Sequence, residues 1–86
     1  MSPNDDNTRV ILTAIAVDLP GIVDDILGAI ERAGATIETT SVASLDTAVS
    51  VTLLLHVPRS GTTPLRAALV GLTVERDIKF HVDDMP

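Results

Sequence analysis

The sequence predicts an α+β domain of element order β-α-β-β-α-β, a four-stranded antiparallel sheet with two helices on one face, and three observations carry that expectation. Residues 9–17, RVILTAIAV, are apolar almost without a break. Residues 36–45 and 48–57 are two strand-like segments parted only by Asp46 and Thr47. Two segments of helical period each begin just after a proline, Pro20 and Pro64. Elements in that order admit few topologies once parallel crossovers must be right-handed.

Taken in order, residues 1–8 are polar and aperiodic, the composition of a frayed leader, and residues 9–86 are expected to form the single domain. The run 9–17 suits an interior strand covered on both faces better than a half-exposed one. Asp18 is a candidate N-cap, and Pro20, with its fixed φ and no N–H, suits a first helical turn. From there Ile22, Val23, Ile26, Leu27, Ile30 and Ala33 recur along one helical face, with Asp24, Asp25, Glu31 and Arg32 opposite. Gly34 stands where a helix-ending glycine is expected.

Residues 36–45 are rich in Thr, Ser and Val, yet Ile37, Val42 and Leu45 do not keep a period of two. A bulge near residues 39–41, or an edge position, explains the broken alternation. In residues 48–57, by contrast, Val49, Val51, Leu53, Leu55 and Val57 recur at every second position, alternating with Ser50, Thr52 and His56, so the two segments read as a hairpin turning at Asp46-Thr47. Thr63 and Pro64 read as cap and first position of a second helix built on Leu65, Ala68, Leu69 and Leu72. Ile78, Phe80 and Val82 alternate with Lys79 and His81 in a last short strand. This order is the ferredoxin-like plait, with spatial order four-one-three-two and an irregular second strand at an edge. One sheet face is left without helices, and a face that carries residues such as Leu54 is a site of association.

Composition removes several function classes. The chain has 86 residues, 45% of them hydrophobic, with Phe80 as its one aromatic, so its core must be aliphatic. It has no cysteine, which excludes disulfides and thiolate metal sites and fits a reducing, cytoplasmic setting. No run approaches the ~18 apolar residues of a membrane span. A net charge of −6, with the few cations scattered, leaves no footprint for a phosphate backbone, so nucleic acid is not an expected partner. A domain this small buries only about 60–65% of its unfolded surface, which favours help from a homo-oligomer.

The chemistry-bearing residues are few. There is no nucleophile–base pair and no glycine-rich phosphate loop, so no catalytic residue is assigned. His56 and His81 fall by parity on the helix-free face, but on strands separated by the first, and are expected to be solvated or interface histidines rather than metal ligands. Asp24 and Asp25 read as complements to the helix dipole. What remains is the turn Asp18-Leu19-Pro20-Gly21-Ile22: a glycine leaves its backbone amides open at the positive end of a helix, an arrangement that favours a carboxylate.

Residues 9–57 resemble an ACT domain, the small-molecule regulatory module of amino-acid metabolism. Three linked features carry the resemblance: the apolar strand ending in Asp18-Leu19-Pro20-Gly21-Ile22, the helix ending in Ala33-Gly34-Ala35-Thr36-Ile37, and the hairpin that follows. The chain is most similar in kind to the N-terminal ACT module of bacterial phosphoserine phosphatases, with glycine-cleavage repressor-like and deformylase-type modules next. The resemblance implies a non-catalytic domain, without cofactor, that binds an amino acid where two copies meet. Asp18, Leu19, Pro20, Gly21 and Ile22 of one copy would face Thr36 and Ile37 of the other. Serine and glycine are the first expected ligands, because Thr36 offers one hydroxyl and Leu19 and Ile37 leave little room. The competing expectation is a ligand-free dimerisation module that uses only the helix-free face and the edge strand.

Overall fold

The computed structural model describes residues 7–84. Its elements are β1 (Asn7–Val17), α1 (Ile22–Arg32), β2 (Thr36–Leu45), β3 (Ala48–Pro58), α2 (Thr62–Arg76) and β4 (Lys79–Asp84), with a short 3₁₀ turn, Arg59–Gly61, leading into α2. The expected order β-α-β-β-α-β is therefore the observed one. The leader expected over residues 1–8 lies outside the described residues up to position 6, and Asn7 and Thr8 already belong to β1.

All strand pairs are antiparallel, in spatial order β2-β3-β1-β4, the plait expected from sequence. β3 alternates as its sequence alternates: Val49, Val51, Leu53, Leu55 and Val57 are buried. They share one sheet face with Val10, Leu12, Ala14 and Ala16 of β1, and on that face lie Ile22, Ile26 and Ile30 of α1 and Leu65 and Leu69 of α2. Fully burying each large aliphatic side chain in such a core contributes about 1.5–3 kcal/mol. No buried side-chain nitrogen or oxygen lacks a partner among the described residues.

Three expectations are corrected here. β1 is central, but helices cover only one of its faces; Ile15 and Val17 remain 51% and 58% exposed on the other. β2 takes the edge position expected of it, but its irregularity falls at Glu38, where the register shifts between Ile37 and Thr39, one residue before the segment expected to bulge. α2 begins at Thr62 with Gly61 at its N-cap, so Thr63 does not cap it and Pro64 is third in the helix. Pro64 is tolerated there because first-turn amides have no intrahelical acceptor in any case.

The end of α1 follows the sequence closely. Gly34 has φ 90°, its amide donates to Glu31 O at 3.0 Å, and Ala35 N donates to Ile30 O at 3.3 Å. Those two bonds are the Schellman arrangement, which a glycine in the left-handed region permits.

Candidate functional site

The turn at the head of α1 forms differently from the sequence expectation. Gly21, at φ 79° and ψ 1°, occupies the N-cap position, and no side chain caps the helix, so Asp18 is not the cap and Pro20 stands outside the helix. Ile22 N donates to Leu19 O at 3.1 Å. With Pro20 second and a left-handed Gly21 third, Leu19-Pro20-Gly21-Ile22 is a type II turn, which requires positive φ at its third position. The same sequence pair that suits a helix start therefore serves a turn placed just before it.

Ile22 anchors the turn in the core, and a backbone bond ties its start to the hairpin. Asp18 N donates to Thr47 O at 2.8 Å, linking the end of β1 to the β2–β3 hairpin loop, where Asp46 sits at φ 56°. Leu19 N donates to Val17 O at 2.9 Å, and Asp25 N makes the first helical bond, to Gly21 O, at 2.9 Å. Because Ile22 N is used within the turn, the expectation of an open amide there is corrected. Within residues 18–24 the amides of Gly21, Val23 and Asp24 are left without a backbone acceptor. They border an open concavity of about 360 Å³ lined by residues 18–24. Three unpaired donors at the positive end of an 11-residue helix can donate to an anionic oxygen.

Charge around the turn is mostly negative. Asp18 and Asp24 are exposed, whereas Asp25 pairs with Arg76, the last residue of α2. Sequence reasoning missed both Arg76 and the Thr47 carbonyl. Arg76 lies 51 positions from its partner, a separation that no local periodicity reports.

Thr36 and Ile37, the other expected site residues, are not near the turn in the same chain. The turn follows Val17, which pairs with Ala48, whereas Thr36 pairs with His56. Along β3 those positions lie roughly 26 Å apart at ~3.3 Å per residue. Thr36 shares a row of the helix-free face with His56 and Arg9. Glu38, the bulged residue, reaches across that row to His56 Nε2 at 2.7 Å and to Arg9 at 3.5 Å. Each of these side chains is about two-fifths exposed, so the cluster is a solvated ion group. His81 pairs with Asp83 at 2.9 Å on the far side of β1, and no group of three or more potential metal ligands occurs among the described residues.

The sequence matches the ACT domain family over residues 8–83. Among solved structures, one described as a candidate glycine cleavage system transcriptional repressor superposes with a TM-score of 0.87 at 20% identity, covering 93% of this chain and 46% of that one. An ACT domain protein from Streptococcus pneumoniae matches at 22% identity and a TM-score of 0.75, covering 90% and 89%. Formyltetrahydrofolate deformylase from Burkholderia mallei matches at 17% identity and 0.78, covering 88% of this chain and 28% of that one. These likenesses establish the fold; the chain spans under half of the first of these proteins and under a third of the last. No curated protein sequence matches.

Proposed function

This chain belongs to the ACT domain family, and from that premise we propose that it is a non-catalytic regulatory domain that binds a small amino acid between two copies of itself. The ligand's carboxylate lies on the amides of Gly21, Val23 and Asp24, and its ammonium faces Asp18 or a neighbouring carbonyl. Thr36 and Ile37 of the second copy close the site. Serine and glycine are the first candidates, and the setting is cytoplasmic.

The observation that carries the reading is the position of the two half-sites relative to the free edge of the sheet. β2 is an edge strand, exposed along nearly its whole length, with one side unpaired. An unpaired edge is a template for another strand. If two β2 strands pair antiparallel about a twofold axis, the start of each lies beside the end of the other. The end of β2 is the hairpin that holds the Asp18 turn. Half-sites at opposite ends of one chain thus meet across the pair, twice, by symmetry. The unequal charge supports a zwitterion over a simple acid, because exposed Asp18 and Asp24 oppose a bare anion and suit an ammonium.

The partial coverage of two of the neighbours is consistent with a module that serves larger chains, the deformylase being an enzyme. A second reading, dimerisation without a ligand, is favoured by the apolar helix-free face, on which Ile15, Val17 and Leu45 are exposed. Calorimetry with the twenty amino acids separates the two. The expected result is binding of a small amino acid to the wild type, loss with Gly21→Val, and weakening by about 1–3 kcal/mol with Asp18→Ala. No heat at millimolar ligand, or unchanged binding by Gly21→Val, leaves the dimerisation module.

A further inference from the structure

We infer that Arg76 is a positioning residue for this site: by drawing the Asp25 carboxylate toward α2, it keeps the head of α1 open to a ligand carboxylate. The inference rests on the amino-acid reading of residues 18–24. Its own observation is the ion pair between the last residue of α2 and the first-turn acid of α1.

Side chains on a helix lean toward its N-terminus, so a residue covers the turn before its own Cα. Asp25 follows directly on Val23 and Asp24, whose amides are unpaired, and its own amide bonds to Gly21 O. Released from Arg76, its carboxylate is within one turn of the donors that the ligand would use. It would then compete for those amides and repel an incoming anion at the same time. The end of the molecule that holds the turn already carries exposed Asp18, Asp24, Asp46 and Asp77. Arg76 is the cation paired into the first turn of α1 there, and its half-buried guanidinium sits at the negative end of the α2 dipole, which favours its charge. The guanidinium fork holds a carboxylate in a fixed direction, which a lysine would do less well. Arg76 therefore acts through Asp25 and not by touching the ligand.

The experiment is calorimetric titration of glycine and L-serine into the wild type, Arg76→Gln, Asp25→Asn and the double variant, at low and high salt. Thermal melts confirm folding, since a pair this exposed contributes little to stability. Arg76→Gln is expected to lose roughly three- to thirtyfold in affinity, less at high salt, as an uncovered charge near the ligand implies. Asp25→Asn and the double variant are expected to bind at least as tightly as wild type, because the carboxylate that Arg76 restrains is gone. Arg76→Gln binding like wild type overturns the inference, and so does a double variant as weak as Arg76→Gln, which would mark a structural clamp. A wild type that binds no amino acid overturns the site reading and this inference with it.

Discussion

Gly21 gives the sharpest test of the site's architecture, because its conformation and its surroundings predict different things. Its φ of 79° lies in the left-handed region, yet a Cβ built there meets nothing within 4 Å. Any cost of substitution is therefore local backbone strain rather than collision. An alanine in that region costs about 1–2 kcal/mol, an asparagine less, and a β-branched valine more. In a domain of this size each kcal/mol shifts Tm by roughly 4–8 °C. Gly21→Ala should thus melt about 4–16 °C below wild type, Gly21→Asn in between, and Gly21→Val lowest, by circular dichroism at matched concentration. All three should retain native far-ultraviolet spectra, since a small domain holds about 4–13 kcal/mol. An alanine variant as stable as wild type would refute the type II turn, and with it the placement of the free amides. If asparagine instead fell below valine, strain would not be the cause and a hidden contact at that position would be.

Two further outcomes follow from burial and from the free edge. Ile26 is completely buried and Asp24 exposed, so Ile26→Asp should unfold the domain while Asp24→Ala leaves its melt nearly unchanged; equal melting temperatures would mean that the phase of α1 is wrong. Ser41 lies near the middle of exposed β2, where a twofold pairing would set like positions against each other. Ser41→Lys should therefore shift mass toward monomer in light scattering without lowering Tm beyond a few degrees, and an unaltered dimer would exclude β2 as the seam.

Most of the fold was legible because its signals are periodic. The alternation in β3, the apolar stripe of α1 and the glycine that closes that helix each have a local cause, and the structure keeps them. What was not legible depended on partners. Pro20-Gly21 suits the first turn of a helix and the centre of a type II turn equally well. The choice is seen in the Leu19 carbonyl accepting from Ile22, with Asp18 N held by Thr47 across the hairpin. β1 is apolar on both faces, but sequence alone does not say whether a helix or another molecule covers the second; within the described chain the helices do not reach Ile15 or Val17. The bulge at Glu38 broke the alternation visibly, yet its position is fixed by the register with Leu54 and by the reach to His56. For the candidate site, the turn could be located but Arg76 could not, since only tertiary packing joins the end of α2 to the start of α1.

The separation of the half-sites has a thermodynamic consequence that distinguishes a shared site from one contained in a single chain. If each ligand is held by the turn of one copy and by Thr36 and Ile37 of the other, it binds the dimer and not the monomer with full affinity. Ligand affinity and dimer affinity are then linked, and each must raise the other. A ligand at a hundred times its Kd stabilises the competent state by about 2.7 kcal/mol per site. Two symmetric sites double that, so the dimer dissociation constant should fall by roughly 10⁴, at 1.4 kcal/mol per tenfold. Sedimentation across a dilution series, with and without saturating ligand, measures it directly. A ligand that binds with stoichiometry one per chain yet leaves the dissociation constant unmoved is held by residues 18–24 alone. That result would remove Thr36 and Ile37 from the site while leaving the turn in place, because a ligand with no differential affinity for the two states shifts nothing.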